Sequence, residues 1–168
     1  MKITREQLRR WGACYDDDRI AELVPEAGLT PLEVASLDIP AEDRLWVLLR
    51  EDIVPACDLR LLACGWAEAA CVKAGCNDAR SLNAIAVGRR YAHGEATEAE
   101  LASARSAAES AEAWSAWAAA WEAARSAAWS AAWSAAEAEA ADRSEQLADV
   151  VRVLKRIDEA AKAGKGAE

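Results

Sequence analysis

Residues 113–141 read AWSAWAAAWEAARSAAWSAAWSAAEAEAA. Together with its approach from Thr97, this run is about half alanine, the strongest helix former. It holds no Gly, Pro or Asn to interrupt a helix. Thr97 and Glu100 have the spacing of a capping box, in which each side chain accepts the other residue's backbone N–H. A continuous helix from 97 to 141 would be roughly 65 Å long at 1.5 Å per residue, about twice the width of a small domain. The chain is therefore predicted to be all-α. A helical array domain over 1–95 leads into a long Ala/Trp-rich helix over 96–141, and an amphipathic helix with a frayed tail occupies 142–168.

Five tryptophans, Trp114, Trp117, Trp121, Trp129 and Trp133, and one arginine, Arg125, are the large residues along this run. From Trp117 they recur every fourth position. A four-residue step advances about 400°, so the stripe drifts roughly 40° per step and covers one broad, slowly twisting face. Each indole has Ala or Ser beside it, which lets a neighbouring backbone approach closely. The face suits a core packed on the N-terminal helices, a self-association interface, or a recognition surface. Trp and Arg are enriched at interface hot spots, and these six residues are the partner-binding candidates.

Working outward, helix starts and stops are dense. Thr4 with Gln7, and Thr30-Pro31 with Glu33, predict capped helices; Gly12 ends the first. Asp16, Asp17 and Asp18 favour the positive end of a following helix over a cation site, because EF-hand spacing and its distal Glu are missing. Trp11 joins Leu8 as a residue to bury, and Leu45, Trp46, Leu48 and Leu49 make a core-facing stripe after Pro40. A helix from near Pro55 to Lys73 ends at Gly75, and Asp78 or Asn77 caps another over Ala79–Ala92. Asp142-Arg143-Ser144-Glu145 is the one plausible break before the C-terminal stripe of Leu147, Val150, Val151, Leu154, Ile157 and Ala161.

At 168 residues with net charge −9, the chain is acidic. Affinity for nucleic-acid backbone comes from Lys and Arg neutralising phosphates, so direct nucleic-acid binding is not expected. A basic protein partner suits the charge better. Met1–Arg10 is charged and carries no secretory signature, and charges interrupt every apolar stretch short of a membrane span, so a cytoplasmic protein without membrane contact is expected. Five cysteines, an odd number, suggest buried thiols in a reducing compartment. Cys57, Cys64 and Cys71 share one helix face without a zinc-knuckle pattern, and Cys76 is the more accessible thiol. The single histidine, His93, sits at a helix end. Serines lack a nucleophile elbow, and no glycine loop cradles phosphate. The chain is read as a non-enzyme, with no metal and no cofactor.

Several segments carry a family resemblance. Leu62-Ala63-Cys64-Gly65-Trp66-Ala67-Glu68, Asn77-Asp78-Ala79-Arg80, Ala84-Ile85, Arg89-Arg90-Tyr91-Ala92 and Gly94-Glu95-Ala96-Thr97, followed by the Ala-rich run, resemble the Imm-5-like immunity proteins over about residues 62–141. The N-terminal part resembles the openings of bacteriophage and bacterial proteins. The resemblance implies an intracellular helical protein that neutralises a toxin by binding it; for a phage-encoded chain the site of action is the host cytoplasm. The histidines usual in the family's Ala-rich half are replaced here by Trp and Ser, so no histidine role carries over. The expected function is a non-enzymatic inhibitor of immunity type, which blocks a toxin or a defence-system component through the Trp-bearing helix and the acidic surface. Two alternatives stay open. One is a phage counter-defence protein, anti-CRISPR-like, that occupies a basic nucleic-acid-binding channel. The other is a structural homo-oligomer, a homodimer in the simplest case, built on the long helix.

Overall fold

The computed structural model of the chain describes residues 1–75, 77–109 and 131–165, the side chains of 131–142 and 165 excepted. The fold is all-α. Among the described residues the helices are α1 (Arg5–Trp11), α2 (Asp17–Leu23), α3 (Pro31–Ala35), α4 (Ala41–Leu48), α5 (Ala56–Lys73), α6 (Ala79–Ala92), α7 (described over 98–109) and α8 (Ala131–Lys165). No strand occurs among them; a single antiparallel bridge pairs Ile3 with Leu29.

The starts follow local chemistry. Gln7 N–H donates to Thr4 Oγ1 at 3.2 Å while Thr4 N–H donates to Gln7 Oε1 at 3.0 Å. The same reciprocal pair joins Thr30 with Glu33, at 3.2 and 2.6 Å, and Thr97 with Glu100, at 3.2 and 2.8 Å. Each satisfies two backbone donors that the first turn leaves free. The donated N–H groups stabilise the charged carboxylates and hold Glu33 and Glu100 below the usual carboxylate range. Asp16 and Asp78 cap α2 and α6. The Arg80 guanidinium, aided by backbone N–H donors, holds the Asp78 carboxyl down at about 2. The acidic run after α1 thus has structural work: Asp16 caps, and Asp17 accepts from Arg9 Nε at 2.6 Å.

Two arginines close helix ends. Arg5 donates from Nε to Val24 O at 2.6 Å and from Nη2 to Ala21 O at 3.0 Å, covering carbonyls at the end of α2. Arg44 donates to Ala35 O at 3.1 Å at the end of α3. Cationic donors there meet both the unpaired carbonyls and the negative end of the helix.

Packing divides the chain into two compact units, 1–55 with 140–168, and 56–139. Composition and periodicity divide it at 95 and 141 instead. In the first unit, Ile3, Leu48, Val54 and Val150 are fully buried, with Ile20, Val24, Val34, Leu147 and Leu154 nearly so. Arg143 pairs with Glu42 at 3.0 Å and ties α8 to the start of α4. α8 runs through 142–145 without the expected break. None of those four residues removes a backbone donor or demands a non-helical conformation. Its stripe buries Leu147, Val150 and Leu154, leaves Val151 and Ile157 half-buried, and exposes Ala161.

In the second unit α5 packs on α6. Val87, Leu101 and Ala104 form a small buried cluster, with Ala84, Tyr91 and Ala96 against it. The two helices meet closely where Gly88 faces Cys64: a Cβ at position 88 would lie 2.9 Å from Cys64 Sγ. Arg89 of α6 pairs with Glu68 of α5 on the exposed side. Of the three cysteines on one face of α5, only Cys64 is buried; Cys71 is half-buried and Cys57 exposed. Burial pushes the Cys64 thiol up, which makes it a poor nucleophile. Cys76 lies outside the described residues.

The Gly88–Cys64 approach yields a prediction. Gly88→Ala should destabilise the chain by about 1–3 kcal/mol through overpacking. Adding Cys64→Ala should recover part of that loss, since it removes the opposing sulfur. A double-mutant cycle by urea denaturation would read the coupling. Additive effects would mean that the helices separate freely.

Candidate functional site

The sequence candidates Trp114, Trp117, Trp121, Arg125 and Trp129 lie outside the described residues. Trp133 lies on α8, where only the backbone is described. The described residues bring together a different aromatic group, in the first unit. Trp46 stands on α4 and Arg50 four residues on, in the turn after it; Trp11 is the last residue of α1. The Arg50 guanidinium carbon lies 4.3 Å from the Trp46 ring centroid and 4.5 Å from that of Trp11. Its Nε is buried without a hydrogen-bond partner among the described residues. The ring faces supply what a hydrogen-bond acceptor would otherwise supply, because the indole quadrupole attracts a cation.

Trp46 was expected to face the core, as was Trp11. Trp46 is instead 40% exposed, and Trp11 is half-buried. Leu45, Val47 and Leu48 take the inward positions, which leaves position 46 on the opposite side of α4. Burying Trp46 would also strand Arg50.

Beside this stack lies a cavity of about 260 Å³, with Trp46 in its wall. At its edge the Tyr15 hydroxyl donates to Asp43 Oδ2 at 2.6 Å, across 28 residues of chain. That bond and partial burial raise the Tyr15 pKa. Glu42, next to Asp43, is held below the usual carboxylate range by its bond to Arg143.

No family model, curated protein or solved structure matches this chain.

The second unit has a more open groove of about 510 Å³, whose wall includes alanines of α5 and α6, Cys64, Cys71 and the two arginines Arg60 and Arg105. Arg60 also rests on the Tyr91 ring, 4.7 Å from its centroid. His93 closes α6: its backbone N–H reaches the carbonyls of Arg89 and Arg90 at 3.1 and 3.2 Å. Among the described residues, no three of His, Cys, Asp and Glu are grouped to hold a metal. Among them, too, no helix is long and apolar enough to cross a membrane.

Sequence reasoning missed Arg50 altogether. The available signal was its spacing from Trp46, since residues four apart on a helix are neighbours on its surface. Tyr15 and Asp43 carried no such signal, because their meeting depends on how the segment between α1 and α2 packs on α4.

Proposed function

We propose that this chain is a non-enzymatic protein-binding protein of immunity or inhibitor type, which blocks a basic partner through exposed aromatic anchors set in an acidic surface. The observation that carries this reading is Trp46, held at the surface against Arg50. A pre-ordered indole loses little side-chain freedom on binding, and Trp and Arg dominate interface energetics. The net charge of −9 supports steering toward a positively charged partner, a toxin or a defence-system component. The Trp and Arg pattern in the sequence of residues 114–133 supports further aromatic anchors, and the resemblance to the Imm-5-like family supports the inhibitor role.

The test is affinity capture from the native host, followed by calorimetry on the recovered, purified partner. Trp46→Ala and the double change Trp121→Ala/Trp129→Ala are each expected to weaken binding by about 30-fold, as an interface hot spot does, with helical content by circular dichroism unchanged. Affinities within twofold of the parent for both variants would overturn the reading. The charge also supports a counter-defence protein seated in a basic nucleic-acid channel. Its complex would weaken steeply with salt and tolerate the Trp changes better than changes at Glu. Light scattering on the free chain distinguishes a homo-oligomer, which would report a multiple of the monomer mass.

A further inference from the structure

The cavity beside Trp46 has a composition of its own. Leu8, Ile20, Leu23, Val34, Ile39 and Val47 supply most of its wall, drawn from α1, α2, α3 and α4 and the segment leading into α4. Its polar side chains are few: Tyr15, Glu42 and Asp43, together with the Cys14 thiol. No Lys, Arg or His lines it. At about 260 Å³ it exceeds the roughly 150 Å³ apolar cavity that admits benzene, so a two-ring body fits its scale.

The two carboxylates differ. Glu42 is paired with Arg143 at 3.0 Å, so its charge is answered from α8. Asp43 forms no ion pair among the described residues; Tyr15 occupies Oδ2, and Oδ1 accepts no hydrogen bond there. Asp43 lies in the first turn of α4, in the wall of the cavity. An anion entering this cavity would meet two carboxylates and no cationic side chain in the wall. A cation with an apolar body would bury that body and place its charge beside Asp43.

We propose that this cavity is a binding site for a small hydrophobic amine, its ring or alkyl body among the aliphatic side chains and its ammonium group on Asp43 Oδ1. The apolar walls contribute affinity in proportion to the area they cover. Asp43 contributes selectivity, since a charge-assisted hydrogen bond is stronger than a neutral one. Tyr15, by donating to Oδ2, leaves Oδ1 without a hydrogen bond among the described residues. The inference stands on the cavity alone and does not depend on the protein-binding reading.

The experiment is calorimetry on the full chain with four probes: 1-naphthylmethylamine, 1-naphthalenemethanol, 1-naphthoic acid and methylamine. The amine is expected to bind at least tenfold more tightly than the alcohol, with the acid and methylamine not binding. Asp43→Asn should remove that tenfold preference and leave the alcohol's affinity unchanged, which also shows that the variant is folded. Nuclear Overhauser contacts from the naphthyl protons to the methyls of Ile20, Val34 and Val47 should place the ring without any substitution. Absence of binding by the amine, equal binding by the acid, or contacts to other methyls would overturn the proposal. N-acetyltryptophanamide binding as tightly as the amine would assign the cavity to a partner's neutral aromatic side chain and overturn it too.

Discussion

Val150→Asp is expected to unfold the first unit. Val150 lies in the C-terminal half of α8 and is 0% exposed. A carboxylate there would lose its hydration in a core that buries no polar or charged side chain among the described residues. Burying an unpaired charge costs several kcal/mol, and losses of about 3–5 kcal/mol follow when a buried charge is left alone. That is a large share of the 5–15 kcal/mol that typically separates folded from unfolded. Ala161→Asp, on the same helix at an exposed position, should change stability by no more than about 0.5 kcal/mol. Urea denaturation gives both numbers. Hydrogen exchange then tells where the damage falls: faster exchange in α2, α3 and α4, over 90 residues away in sequence, is expected. Acceleration confined to α8 would show that this helix is not part of the N-terminal core.

Gly28→Ala is expected to cost about 2–4 kcal/mol, from two sources that add. Gly28 has φ +71°, a left-handed conformation that costs an L-residue about 1–2 kcal/mol. A Cβ there would also sit 2.8 Å from Ile3 O, a backbone atom that cannot rotate aside. That oxygen accepts the Leu29 N–H at 3.0 Å, while Ile3 N–H donates to Leu29 O at 2.7 Å. Pushing the two segments apart therefore strains both hydrogen bonds and lifts Ile3, which is fully buried, from the core. Gly12 isolates the conformational part: its φ is +79°, yet a Cβ would meet nothing within 4 Å. Gly12→Ala should cost only the left-handed penalty. Thermal or urea unfolding of the two variants gives the difference directly, and equal losses would mean that the contact with Ile3 contributes nothing.

Both predictions bear on what a linear reading can reach. The helix starts after Thr4, Thr30 and Asp78 were legible because the interactions that set them span three or four residues. Thr4 needs only Gln7, Thr30 only Glu33, and Asp78 only the two residues after its own helix begins. The all-α fold follows from the same local chemistry together with an alanine-rich run that offers no breaker. The tryptophan stripe was legible as a sequence pattern, and Trp114, Trp117, Trp121 and Trp129 fall outside the described residues. Burial was another matter. Trp46 and Val47 are adjacent and both apolar, yet one stands outward on Arg50 and the other lines the core. Cys57 and Cys64 share a face of α5, yet only Cys64 has α6 above it, admitted by the missing side chain of Gly88. For Cys64 the deciding neighbour comes from another helix, and Arg50 is held by Trp11 of α1 as well as by Trp46.

By itself, then, the sequence determined the capped helix starts of the N-terminal part, the all-α character of the described residues, and the acidic character of the whole. Those properties are sums or short-range interactions, fixed before any two helices meet. Tertiary structure alone decided that the C-terminal half of α8 completes the N-terminal core, that Arg50 lies against two indoles, and that Tyr15 meets Asp43 at the edge of an apolar cavity. Each of these joins groups whose separation in space is set by packing, and packing depends on the shapes of all the side chains at once.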